Sequence, residues 1–543
     1  MPETWDFVIV GSGFGGSVSA LRLAEKGYRV LVLEQGRRWR PEEFPPTNWR
    51  VRRWLWLPAL GLRGPFKMTF LRHITALSGV GVGGGSLVYG NTLPVPESDF
   101  FAAPRWRDLA DWQAELEPHY RTALQMLGAV PNPRRTYPDE VLAEVARDMR
   151  LDPPQPTDVA VFFGEPGVTV PDPYFGGEGP ARSGCVFCGG CMTGCRHGAK
   201  NTLDWNYLYL AERLGVEVRA EHQVTWIRPR PEGGYRLEAR TGLGWPAWRR
   251  GHATFDADRV ILAGGVVGTV PLLLRLRERA YGLPHLSPRL GDFVRTNSEV
   301  LIGVVSRRRD RDMSEGIAIT SIMRTDPHST IEPVRYASGS GFFRLLQMPH
   351  APGRTALARI ARSIVTLFRH PVQTLRAYTV RDWAARTNIL LYMRTIESHL
   401  ALRLRRTVRT GWRRGADTLL AAGPAPTAAI PEATELAERV AEKADGYVVS
   451  MVTESVLGIP TTAHLLGGAA IGGSAETGVI APDHQVWGYP GLYVVDGSAV
   501  PANPGVNPSL TIAALAERAM TLIPAKGAEA ADITPQESGP TAA

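Results

Sequence analysis

An α/β fold opening on a βαβ unit is what this sequence predicts, and two observations carry it. Trp5-Asp-Phe-Val-Ile-Val10 is a short apolar run that breaks at once into Gly11-Ser-Gly13-Phe14-Gly15-Gly16. Tyr28-Arg-Val-Leu-Val-Leu33 is a second apolar run, and it ends in an acid, Glu34. Between the two, Ser17 to Gly27 sets Val18, Leu21, Leu23 and Ala24 in a helical pattern. Strand, glycine turn, helix, strand and acid in this order form the dinucleotide fingerprint.

Each part has a physical task. Gly11 makes the tight turn and Gly13 lets backbone approach a pyrophosphate. Gly16 lets helix and strand pack closely, while the helix N-terminus faces the negative charge. Glu34 stands about twenty residues on, where an acid bonds ribose hydroxyls and repels a 2′-phosphate. A second cluster, Ser78-Gly-Val-Gly-Val-Gly83-Gly84-Gly85-Ser86-Leu-Val-Tyr-Gly-Asn91, holds five glycines within seven residues. Backbone this bare suits close contact with a flat ring or a phosphate. The apolar Val80, Val82, Leu87 and Val88 argue against a loop in solvent. Arg259-Val-Ile-Leu-Ala-Gly264-Gly-Val-Val-Gly-Thr269 reads as a buried strand breaking into a glycine turn and a helix, as a sheet returning beneath a nucleotide would. Near the C-terminus, His464 and Asn507 each sit in a glycine-rich turn, about forty residues apart.

Residues 5–36, 72–94, 259–275 and 462–518 together resemble the glucose–methanol–choline family of flavoproteins, in its cholesterol oxidase-like branch. The resemblance implies a Rossmann-like FAD-binding domain interleaved with an α+β substrate domain built on a mostly antiparallel sheet. The first would take residues 1–48, 72–100, 200–297 and 445–525. The second would take 49–71, 101–199 and 298–444, leaving a disordered tail over 526–543. FAD is the implied cofactor, held by Gly11, Gly13, Phe14, Gly15, Gly16 and Glu34, by Gly83, Gly84, Gly85, Ser86 and Asn91, and by Val224, Gly264, Asp496, Asn507 and Pro508. The implied reaction oxidises the hydroxyl of a bulky, apolar, sterol-like alcohol, with its oxygen between His464 and Asn507. His464 would receive or share the hydroxyl proton, a role suited to a group titrating near neutrality, and Asn507 would orient the alcohol. Long-chain or aromatic alcohols are the alternative substrates, and an electron-transfer subunit is the alternative class. One departure stands out. Where the sterol branch carries a glutamate in a short strand, the segment Ala385 to Tyr392 offers Arg386, so His464 itself, or Asp382 or Glu397, would have to serve as base.

At 543 residues and 44% hydrophobic content the chain is long enough for two domains with a large core. No apolar run reaches the roughly 20 residues of a membrane span. The first strand begins at Trp5, which leaves no room for a secretory signal, so a cytoplasmic location is expected. Net charge is +8, and the arginines are unevenly placed. Arg50 to Arg72 carries Trp54, Trp56, Arg63 and Lys67 with no acid. Arg354 to Arg376 reads as a helix with Leu357, Ile360, Ile364, Val365 and Leu367 apolar, Arg359, Arg362 and Arg369 interspersed, and again no acid. Such segments suit the surface of an anionic membrane, or ordinary cover for the substrate domain. Their aliphatic interleaving, with no nucleic-acid motif, excludes a nucleic-acid partner.

All four cysteines fall in Cys185-Val-Phe-Cys188-Gly-Gly-Cys191-Met-Thr-Gly-Cys195. C-x2-C-x2-C-x3-C is the spacing with which bacterial ferredoxins hold iron–sulfur clusters. A cluster on these thiolates is therefore expected, passing electrons one at a time to a quinone or an electron-transfer protein, since direct transfer from flavin to oxygen needs no cluster. Four-thiolate zinc or a metal-free structural loop are the other readings. The following His197-Gly-Ala-Lys200 resembles a segment of long-chain alcohol oxidases, which implies a structural role for at least Cys195.

Overall fold

The computed structural model describes residues 3–242, 250–351, 353, 356–369, 371, 375 and 378–528. Arg354, Arg376 and, from residue 529 on, the expected C-terminal tail lie outside the described residues.

Glu3–Val10 forms a strand that buries Phe7, Val8 and Ile9 on both faces, as a parallel strand covered on each side requires. It pairs in parallel with Val30–Leu33 on one side and Gly251–Leu262 on the other. Glu217–Arg219 extends the sheet beyond Val30–Leu33, and Tyr489–Val494 joins the end of Gly251–Leu262, both in parallel. Tyr235–Thr241 and His222–Pro229 continue it in antiparallel fashion, within a sheet of eight strands. The first helix, Phe14–Glu25, packs on the last described one, Ser509–Thr521. Arg22 and Glu517 pair between them at 2.6 Å, and Tyr207 donates to Glu517 at 2.7 Å. The fingerprint and the C-terminal motifs, far apart in sequence, thus share one core.

The second large sheet has seven strands. Gln347–Pro349, Gly446–Met451, Val300–Ser306, Thr387–Arg394, Ser329–Val334, Ser321–Asp326 and Gln155–Pro156 lie in that order, every neighbour antiparallel. Alternation divides its two faces. Val300, Ile302, Ile331 and Leu390 pack with helices Tyr137–Met149 and Pro431–Lys443. Leu301, Gly303, Val334, Ile389 and Leu391 face the other way, onto a cavity. A small third sheet pairs Thr461–Thr462 with Thr75–Gly79, and so sets the residues just before His464 beside the second glycine cluster.

The tryptophans of the first basic segment are core residues. Trp54 is fully buried and stacks on Phe66 at 4.6 Å, with Phe342 at 5.0 Å, and Trp56 is buried too. Among the described residues no helix is long and apolar enough to cross a membrane.

Candidate active site

Three glycine turns meet at the carboxyl ends of the parallel strands, where open α/β sheets place their ligands. Gly11 leaves the first strand with φ +103°, and a Cβ there would lie 2.4 Å from the Ala263 carbonyl oxygen. Gly15 and Gly16 are as tightly set, 2.1 Å from Val495 O and Gly11 O on the same construction. Gly13 differs. A Cβ there meets only Ala263 O at 3.9 Å, so that face of the turn stays open. Gly84, from the second cluster, closes on Gly13 itself, 2.5 Å from its Cα to an added Cβ. A cavity of about 540 Å³ runs from these turns to the antiparallel sheet.

Its wall fits an extended dinucleotide. Gly11, Gly13, Phe14 and Gly15 present the N-terminus of the first helix, Gly84 and Gly85 add bare backbone opposite, and Glu34, Val224, Gly264, Asp496, Asn507 and Pro508 complete that half. Glu34 is also a knot in the fold. Its carboxyl accepts from Ser12 Oγ at 2.8 Å, Gly36 N at 2.8 Å and Gly81 N at 3.3 Å, and burial raises its pKa. Asp496 accepts from Gly265 N and Ser498 N, both at 2.8 Å, and from Thr269 Oγ1, which joins the third glycine turn to the C-terminal segment. Four expected cofactor residues stand elsewhere. Gly16 packs helix on strand, and Ser86 Oγ bonds Gly83 O at 2.6 Å and Leu203 N at 3.0 Å, which shapes the loop from behind. Asn91, with φ 73° and fully buried, lies beside the Cys191 thiol. None of Gly16, Gly83, Ser86 and Asn91 lines the cavity.

His464 and Asn507 are brought together at the polar end of the cavity, and two glutamates unrecognised in the sequence stand behind them. His464 Nδ1 lies 2.6 Å from Glu299 Oε2. The other oxygen of Glu299 accepts from Ala463 N at 2.9 Å, His464 N at 3.3 Å and Thr462 Oγ1. Burial lowers the pKa of His464, but the charge and hydrogen bond of Glu299 outweigh it, and the net direction is up. With Nδ1 engaged, Nε2 is the ring atom left for a ligand. Asn507 Nδ2 donates to Glu332 Oε2 at 3.2 Å, whereas Asn507 Oδ1 and Glu332 Oε1 are buried without a hydrogen-bond partner. Burial pushes Glu332 up to about 7. In its strand Glu332 shares the parity of Val334, so it points to the cavity side of the sheet.

Glu332 corrects the expectation at Arg386. The acid of this site lies one strand over from the segment Ala385 to Tyr392, with Glu332 paired to Leu391. Arg386 turns outward to the carbonyls of Arg308, Arg309 and Arg311. Asp382 caps the helix Trp383–Arg386 and accepts from Ser338 and Gly339, while Glu397 pairs with Arg295 at 3.2 Å and accepts from Asn503 N at 2.9 Å. Neither acid reaches the cavity. One signal pointed to Glu332 and Glu299: each is a single acid beside an apolar strand run, in Ser-Thr-Ile-Glu-Pro-Val and Ser-Glu-Val-Leu-Ile, where neither face of the strand meets water.

The cysteines also depart from expectation. Among the described residues no group of three or more His, Cys, Asp or Glu is placed to hold a metal ion, so Cys185, Cys188, Cys191 and Cys195 do not converge as a ligand set. All four thiols are free, and Cys185, Cys191 and Cys195 pack with Val159, Val161 and Ile317 in an apolar cluster. Burial raises the pKa of Cys185 and of Cys191, so these two side chains are protonated thiols at neutral pH. Lys200 does the structural work here. Its buried ammonium donates to Leu87 O at 3.2 Å, Tyr89 O at 3.0 Å and Cys191 O at 2.8 Å, which pins the glycine-rich loop to the cysteine loop.

Residues 393–516 match the family described as GMC oxidoreductase, and residues 9–40 that described as NAD(P)-binding Rossmann-like domain. The chain is 47% identical over 541 residues to a cholesterol oxidase of Mycobacterium tuberculosis (strain ATCC 25618 / H37Rv), with 97% of this chain and 92% of that protein covered. It is 43% identical over 530 residues to a cholesterol oxidase of Acinetobacter baumannii, with 96% and 95% covered. Among solved structures, pyridoxine 4-oxidase from Mesorbium loti superposes with a TM-score of 0.59 at 16% identity over 95% of this chain and 98% of that one, a likeness of fold alone. A nucleotide cradle, a histidine–asparagine pair beside it and identity of this extent lead to one conclusion: the chain belongs to the GMC oxidoreductase family, in its cholesterol oxidase-like branch, and is an FAD-dependent alcohol oxidoreductase.

Proposed function

We propose that the chain oxidises the secondary hydroxyl of a sterol. One observation carries the reading: beside the polar pair His464 and Asn507, the part of the cavity that faces the antiparallel sheet is lined mainly by apolar side chains such as Phe343, Trp383, Leu391 and Val449. A large rigid hydrocarbon suits that lining, with its hydroxyl toward the histidine and the asparagine. The names of the two cholesterol oxidases compared above support the same substrate class.

FAD, when bound, supplies the acceptor for the hydride. Gly11, Gly13, Phe14, Gly15, Gly84, Gly85 and Asp496 are the residues that would hold it. The chain's own residues handle the proton. Glu299 fixes the proton of His464 on Nδ1, so Nε2 accepts from the alcohol, and the resulting imidazolium is stabilised by the same carboxyl. Glu332 accepts from one N–H of Asn507 Nδ2, which leaves the second N–H to donate to the alcohol oxygen and orient it. With its pKa near 7, Glu332 is a second proton acceptor within the working range.

Dioxygen is the proposed electron acceptor, in keeping with the relatives' names. Electron passage through an iron–sulfur centre is not carried forward, because the cysteines form no ligand set. Anaerobic mixing of the purified flavoprotein with a 3-hydroxysteroid should bleach the flavin rapidly, and aerobic turnover should yield hydrogen peroxide equimolar with the ketone. Bleaching by a linear long-chain alcohol but not by the steroid would overturn the substrate assignment.

A further inference from the structure

A buried tyrosine hydroxyl usually finds a hydrogen-bond partner, because leaving it without one costs free energy. Tyr336, on the wall of the active-site cavity, has none. The residue lines that cavity and is only 5% exposed. Its ring packs with Trp383 and lies 5.5 Å from that of Phe343. Its phenol oxygen makes no hydrogen bond with any described residue. The side chains packed around it, among them Met192, Phe343 and Ile389, offer no acceptor. The neighbouring indole is satisfied by contrast, since Trp383 Nε1 donates to Gln347 Oε1 at 2.9 Å.

The strand Ser329–Val334 fixes where this phenol stands relative to the reacting hydroxyl. Glu332, beside Asn507, and Val334 point to the cavity side, and Tyr336 continues the same parity two residues on. The intervening Arg335 turns the other way, to Thr136 and Thr320, while its backbone N–H donates to Ala318 O at 3.0 Å. Four steps of extended chain, at about 3.3 Å each, set Tyr336 roughly 13 Å from Glu332. That span is of the order of a fused four-ring nucleus.

We propose that Tyr336 hydrogen-bonds an oxygen at the far end of the alcohol substrate, so that the site selects a polycyclic alcohol with a second, remote carbonyl or hydroxyl over one that ends in plain hydrocarbon. The inference rests on the sterol reading above and narrows it. A substrate ending in an alkyl group strips water from the phenol and returns nothing, whereas a carbonyl accepts its proton. Packing against Phe343 and Trp383 already holds the ring, so little freedom is lost when the bond forms. Burial is the sole cause of the raised pKa of Tyr336, so no cation stands beside it to favour a carboxylate over a neutral oxygen.

The test sets the parent holoenzyme beside Tyr336→Phe, which removes one oxygen and keeps the ring. One ligand is a 3-hydroxysteroid with a carbonyl on the ring farthest from the hydroxyl. Another is the same steroid with that carbonyl replaced by methylene, and the last is the ketone without the 3-hydroxyl. For the parent, KM for the keto alcohol should lie about three- to tenfold below that for its methylene counterpart, at similar kcat, the usual worth of one neutral hydrogen bond. In Tyr336→Phe this difference should vanish through a higher KM for the keto alcohol, with flavin content kept. The ketone without a hydroxyl cannot be oxidised, so its titration against the flavin spectrum reads binding alone. Its Kd should rise in the variant by the same factor. Equal KM values for the two alcohols with the parent, or a preference that survives in Tyr336→Phe, would overturn the proposal. So would a Kd for the unreactive ketone that the substitution leaves unchanged. If neither alcohol reduces the flavin, the sterol reading fails, and the titration by itself then decides the role of Tyr336.

Discussion

Glu299 and His464 act as one unit, because a buried imidazole with its Nδ1 held at 2.6 Å by a carboxyl has its tautomer and its basicity set together. Glu299→Gln removes the charge that raises the histidine pKa while keeping a hydrogen-bonding side chain. The limb of the pH–rate profile for flavin reduction should move to lower pH and the rate should fall about 10- to 100-fold. Flavin content should stay near that of the parent. An unchanged pH limb would reduce Glu299 to a packing residue. Glu332→Gln keeps an acceptor for Asn507 but removes a group that ionises near pH 7. The parent carries the carboxylate only above that pH, so the ratio of parent to variant rates should grow as pH rises through 7. A ratio independent of pH would mean that Glu332 positions Asn507 and takes no proton.

At the scale of elements, the glycines of the first turn are not equivalent. Gly11, Gly15 and Gly16 have no room for a Cβ within the protein itself, whereas Gly13 has. Gly13→Val should therefore fold and yet purify without flavin, as its side chain enters the space a pyrophosphate needs. Gly15→Ala places a Cβ against Val495 O and should lower stability as well as flavin content. Circular dichroism melts read against flavin absorbance separate the two outcomes, and normal flavin occupancy in Gly13→Val would refute the placement. The cysteine loop is an element of the same kind. It is held by Lys200 and by apolar packing, so its spacing reflects a turn around the glycine-rich loop rather than a metal.

For the whole molecule, the cost of burying an acid shows in stability against pH. Glu454 is buried behind Thr461, whose backbone N–H it accepts at 3.0 Å, and burial pushes its pKa up to about 8 from an ordinary 4.5. The folded protein thus keeps this proton while an unfolded chain has already released it. The stability contributed is full below about 4.5 and is lost as pH rises through 8. Glu454→Gln mimics the protonated form and should gain in melting temperature over the parent as pH rises between those values. Parallel melting curves for the two across that range would show that Glu454 ionises in the fold without penalty. Arg22–Glu517 makes the complementary point, since it joins the first helix to the last and closes the shared core.

The sequence by itself determined the fold class, the family and the nucleotide cradle. Their signals are local: glycines at fixed offsets between apolar runs, and an acid at the end of the second strand. It also named His464 and Asn507, through the family's motifs. Tertiary structure alone decided what those two residues meet. Glu299 immediately precedes the strand Val300–Ser306 and Glu332 lies within Ser329–Val334 of the same antiparallel sheet, and which segment supplies an acid depends on register and on the parity of side chains, which no contiguous motif encodes. The same limit explains why the cysteine run and the first basic segment could not be placed from sequence. Cysteine spacing fixes how far apart thiols lie along the chain, while their convergence in space depends on the loop's path around Lys200. Tryptophans flanked by arginines read alike whether they face lipid or core, and Trp54 is buried by Phe66 together with Phe342 and Phe343, which arrive from a distant part of the chain. Burial is a property of pairs of distant segments, so the sequence proposes a face and the assembled fold decides which way it turns.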